Sequence, residues 1–169
     1  QACQSRERVV ALGESVGLFT RLHPEDSRIL HMATGPIREK ASPQRLNELV
    51  QIENREVRLL YDILEDAVRE GSLVPRHDHV LAEMAFGIWA LVDGAFTLIE
   101  SNSPRQVLGI DSPFSNLFRV FGILADGYGW RPLFAELDWE ESLARTRRSV
   151  FPVEAQQLYG EGNWYGDRA

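Results

Sequence analysis

The chain has 169 residues, 44% of them hydrophobic and 25% charged, and a net charge of −7. That is enough chain for one good-sized core, and the acidic balance argues against a free-standing nucleic-acid binder, which needs a basic face. The single cysteine, Cys3, excludes an internal disulfide and is compatible with a reducing cytoplasm, where the chain is expected. Arg6, Glu7, Arg8 and Glu14 interrupt the first 20 residues, so no signal peptide is expected. The longest uncharged stretch of the most apolar segment is 84–92, ended by Asp93. It falls short of the roughly 18–20 residues of a membrane span, so no membrane partner is expected.

Taken in order, residues 6–22 carry Val9, Val10, Leu12, Val16 and Phe19 at helical spacing, and His23-Pro24 stops the run. Pro24, Glu25 and Asp26 open a short helix to about residue 33, ended by Gly35-Pro36. Ser42-Pro43 is an N-cap followed by proline at the first helical position. It starts a helix over 43–70, about 40 Å long at 1.5 Å per residue. The polar middle, Glu53-Asn54-Arg55-Glu56, is a place for a kink or break, and Gly71 ends the helix. Residues 78–101, capped by Asp78, read as a helix apolar almost all round, which must be covered on every side. Residues 102–111 read as loop, and Ser112-Pro113 repeats the start signal. Phe114, Leu117, Phe118, Phe121, Leu124, Ala125 and Tyr128 then form one stripe. Asp138 caps a helix to about residue 150, and the Gly-rich residues 160–169 read as loosely ordered. There is no strand pattern. The fold expected is all-α, an antiparallel bundle of six to eight helices. Residues 1–130 form its helical domain, and 131–169 form an extension packed on the domain or on its partner.

This order of elements resembles the effector-binding and dimerisation domain of TetR-family transcriptional regulators. The residues that carry the resemblance are Glu70-Gly71 and Leu73 within ILEDAVREGSLVP, Asp78 and Ala82 after it, and Leu91 and Gly94 within ALVDGAF, and it is best over 43–130. The family places a helix-turn-helix ahead of this region. This chain has none, so either it is a fragment or the protein is a stand-alone ligand-binding relative. Contact with DNA is expected only through a head that these residues do not include. The resemblance implies a repressor-type sensor, not an enzyme, in which a small apolar or amphipathic effector shifts the spacing of two DNA-binding heads. Two alternatives stand beside it: a small helical enzyme with an apolar pocket, and a ligand-free dimerisation module.

Two sets of residues follow. Gly87 and Gly94 share a face of helix 78–101 with Glu83 and Leu91, and small residues let another helix approach closely. With Leu117, Phe121 and Leu124 of helix 113–128 they are expected to form a homodimer interface. The bulkier face, with Ala85, Trp89, Val92, Phe96 and Ile99, is expected to meet the chain's own core. Phe19, His31, Met32, Tyr61, Phe86, Trp89 and Phe96 are expected on inward faces of the first four helices. The resemblance places an effector cavity there, and each residue is otherwise ordinary core. Asp93 needs a partner, a cap role or a rim position: it holds a polar group of the ligand, or it bonds a neighbouring helix end or arginine. His77-Asp78-His79 lies in a turn, where alternate residues point apart, so no metal site is expected. There is no nucleophile elbow, phosphate loop or dinucleotide fingerprint, so no catalytic residue and no cofactor is expected.

Overall fold

The computed structural model describes residues 5–32, 38, 40–101, 107–110 and 113–165; the side chains of residues 31, 32, 100 and 101 are not among those described. The described residues form an all-α helical bundle. Its helices are α1 (Ser5–Leu22), α2 (Pro24–Met32), α3 (Pro43–Arg69), α4 (Val80–Ser101), α5 (Pro113–Gly127), α6 (Trp139–Ser149) and α7 (Pro152–Tyr159), with a 3-10 turn at Phe134–Glu136. The expected stop at Gly35-Pro36, most of the loop at 102–111 and the cap Ser112 lie outside the described residues.

The local chemistry explains most boundaries. The Ser42 side chain accepts from the Arg45 backbone N–H at 3.4 Å ahead of Pro43, and that of Asp138 accepts from Glu141 N–H at 3.0 Å. α3 runs unbroken through its polar middle, because the four residues there are good enough helix formers and lie toward solvent. α4 begins at Val80, with the His79 carbonyl accepting from Glu83 N–H, so its cap position falls on His79 and not on Asp78.

α3 and α5 end in the same way. Gly71 takes φ +73°, Ser72 N–H bonds Ala67 O, and Gly71 N–H bonds Val68 O. Gly129 takes φ +77°, Trp130 N–H bonds Ala125 O, and Gly129 N–H bonds Asp126 O. Each is a Schellman end, which only a residue tolerant of positive φ closes cheaply. Arg131 N–H then bonds Ser72 O at 2.7 Å and joins the two turns.

The core lies where α1, the second half of α3, α4 and α5 meet, around Val10, Leu64, Ala67, Met84, Ile88 and Phe121. It continues past residue 130 without a seam. Trp130 is wholly buried, and Trp139 stacks on Phe134 and meets Phe118 edge-on. α6 and α7 pack on α1 of the same chain: Arg147 bonds Glu14 at 2.7 Å, and Tyr159 lies between the guanidiniums of Arg21 and Arg147. Burial, and then the nearby Glu14 charge, raise the Tyr159 phenol above its ordinary pKa. The tail is tied further along than its glycines suggest, since Arg147 donates to Trp164 O and Tyr165 Oη donates to Glu141.

One expectation about length needs correcting. By length and composition alone, Val80–Ile99 of α4 is long and apolar enough to cross a membrane, and 22% of it is buried within the chain. Counting only uncharged runs missed this, because Glu83 and Asp93 interrupt the run without lowering its average hydropathy far.

Candidate functional site

α4 is divided lengthwise into two arcs. Val80, Met84, Ala85, Ile88 and Phe96 are buried, whereas Ala82, Glu83, Phe86, Trp89, Ala90, Asp93, Gly94 and Thr97 face out. Phe86 is 76% exposed and Trp89 38%. α5 continues this outer surface with Asn116, Arg119, Val120, Ile123 and Gly127, of which Ile123 is 65% exposed. Together the two helices present Phe86, Trp89, Leu98, Val120 and Ile123 to solvent. Ala90 and Gly94 lie between them as small gaps. Arg119 and Asp93 stand on the same surface, and neither forms an ion pair among the described residues.

This arrangement corrects the expected faces. Phe86 and Trp89 belong to the outer arc, not the inward one, whereas Asp93 takes the exposed rim position that was among its alternatives. Gly87 and Leu91 lie at the edge of the buried arc. A Cβ on Gly87 would touch Leu124 at 3.9 Å, so this glycine serves the contact between α4 and α5 within the chain. Phe121 is core and Leu117 is half-buried. Of the expected interface set, Glu83 and Gly94 are the fully outward members. The reason is physical: a helix apolar on all sides does not reveal its phase, and the apolar stripe of α5 is the one its own core takes first. The outward stripe 116, 119, 120, 123, 127 was readable from its i, i+3/4, i+7, i+11 spacing, but the larger Phe/Leu stripe masks it.

The residues expected to line one enclosed cavity are not brought together. Phe96 is 3% exposed and meets Phe114 edge-on at 5.9 Å. Tyr61 is half-buried beneath the Arg58 guanidinium. Phe19 lies tilted against His23 and lines a groove of about 200 Å³ between α1 and α7, with Leu18, Leu22, Phe151 and Glu154. The side chains of His31 and Met32 lie outside the described residues. A wider groove of about 490 Å³ lies at the start of α4, between Arg76, His77, Val80, Ile123, Leu124 and Tyr128. It opens beside the outer α4/α5 surface. His77 Nε2 is 3.4 Å from Glu83, and among the described residues no group of His, Cys, Asp and Glu could hold a metal.

A second constellation was not foreseen. The four residues that open α1 reach three places, the end of α3, the end of α5 with the turn after it, and α6. Ser5 N–H bonds Glu70 and its hydroxyl meets that of Ser72. Arg6, wholly buried, donates to Gly122 O at 2.9 Å, Asp126 Oδ1 at 2.6 Å, Trp130 O at 2.6 Å and Pro132 O at 2.5 Å. Glu7 accepts from Ser142 at 2.8 Å and pairs with Arg145. Arg8 bonds Asp66 at 2.5 Å. Burial pulls the Arg6 guanidinium below its ordinary pKa, and the bond to Asp126 opposes this. Asp126 also accepts from Phe134 N–H at 2.9 Å, so it fixes both the cation and the start of the 3-10 turn. SRER in a sequence reads as a solvated helix start. Nothing in its spacing says that one arginine will be swallowed whole.

No family model, no curated protein and no solved structure matches this chain.

Proposed function

We propose that this chain is the sensing and dimerisation part of a TetR-like one-component regulator, a homodimer whose two copies meet through the outer arcs of α4 and α5. The observation that carries the reading is the outer surface itself. It places Phe86, Trp89, Val120 and Ile123 on two adjacent helices, with small residues between them. Exposed apolar patches of this kind, rimmed by polar residues, mark places where another surface sits. A second copy fits better than lipid. Glu83, Asp93 and Arg119 stand on the same surface, which is costly in hydrocarbon. In a two-fold arrangement, Asp93 of one copy and Arg119 of the other supply opposite charges.

The order of helices supports the family part of the proposal: a long amphipathic helix closed by Gly71, an apolar helix, then a second apolar helix. An effector would act by favouring one arrangement of the two copies. DNA half-sites about one helical turn apart make repression sensitive to that arrangement.

The test is a fusion. The chain is joined behind a helix-turn-helix head that holds its operator only as a dimer, and repression is measured in cells. Repression restored by the chain and lost with Phe86→Glu supports the reading. A head that stays monomeric and inactive with the unchanged chain attached overturns it.

A further inference from the structure

Arg6 is placed to do more than fill space. Its guanidinium holds four acceptors. Two are on the last turns of α5 (Gly122 O and Asp126 Oδ1), and two are in the turn that follows (Trp130 O and Pro132 O). Gly122 and Asp126 flank Ile123, which is on the outer surface. The proposed dimer face and the Arg6 acceptors therefore share one stretch of helix. We propose that Arg6 couples the start of α1 to the C-terminal half of α5, so that a change at the α4/α5 surface is carried to the first turn of α1. The coupling rests on the proposed dimer only for what drives it; the joint itself is within one chain.

The first turn of α1 is also bound to α3, by Arg8–Asp66 and by the bonds of Ser5 to Glu70 and Ser72. Arg8 is 37% exposed, so water replaces its bond at little cost when the helices shift, and Ser5, though buried, holds Glu70 and Ser72 only through long bonds of 3.3 and 3.2 Å. Arg6 is 0% exposed, and a guanidinium pulled from its acceptors there has no water to turn to. When α5 shifts relative to α3, the ties that yield are these weaker ones, and the start of α1 follows α5. Arg6 is thus a positioning residue that acts through α5.

Native-state hydrogen exchange on the full chain tests this. Ile123→Gly loosens α5 from its exposed side without removing a core group, and should speed exchange of amides 121–127 about fivefold. The coupling requires amides 9–12 of α1 to speed up by a similar factor, while amides 60–67 of α3 keep their rates. In an Arg6→Met background, amides 121–127 should still respond to Ile123→Gly and amides 9–12 should not. Should Arg6→Met fail to fold, Asp126→Asn weakens the same tie and should shrink the α1 response. An α1 that ignores Ile123→Gly, that responds as fully without Arg6 or with the Asp126 tie weakened, or that changes only together with α3, overturns the proposal. A chain that is monomeric in solution but shows the coupled response would remove the dimer and leave the joint standing.

Discussion

A Cβ at Gly122 would lie inside the van der Waals envelope of the Phe134 ring, which closes over α5 at that point. Alanine is the better helix former by about 1 kcal/mol, and overpacking of this kind costs about 1–3 kcal/mol. Collision should win, so Gly122→Ala is expected to lower stability in urea unfolding, and an unchanged midpoint would contradict the packing described. Asp66 gives a pH-dependent counterpart. The hydrogen bond from Arg8, and then the charges of Arg69 and Arg8, hold its carboxyl below the ordinary carboxylate pKa despite some desolvation. In the acid range the unfolded chain therefore binds the proton more readily than the folded one. The contribution is fully present above the unfolded pKa of about 3.9, and is lost as pH falls through the lower folded value. Asp66→Asn should flatten the acid limb of the stability profile below about pH 4 and leave the neutral region with a level offset. An acid limb of unchanged slope would mean that the pair does nothing.

At the scale of elements, the helices and their ends were legible and their rotation was not. Proline after serine, glycine after a periodic run and aspartate before one are local chemistry, which is why the start of α3, the cap of α6 and the stop at Gly71 appear where the spacing places them. The phase of α4 depends on which neighbours claim which side, and an all-round apolar sequence holds no record of that. Phe86 and Phe96 show the consequence. Both looked inward, yet one is exposed and the other buried. Phe86→Glu should therefore change the unfolding free energy of the monomer, read at a concentration too low for association, by no more than about 0.5 kcal/mol. Phe96→Ala should cost about 3–5 kcal/mol. Equal losses from the two would mean that α4 is turned differently. The joint at Arg6 was illegible for a related reason: a charged residue in a helix's first turn is normally solvated, and its burial here depends on the Schellman end of α5 and the turn after Trp130 converging on it.

At the scale of the whole molecule, the described residues share a continuous core from α1 to α6. An apolar surface is left uncovered on α4 and α5. In the proposed dimer a second copy covers it. Sedimentation velocity across the micromolar range reads this directly, on the unchanged chain and on Ile123→Glu, which puts a charge at the centre of the surface. The account predicts a dimer for the unchanged chain and a folded, helical monomer for the variant. An unchanged chain that sediments as a monomer throughout that range would contradict it.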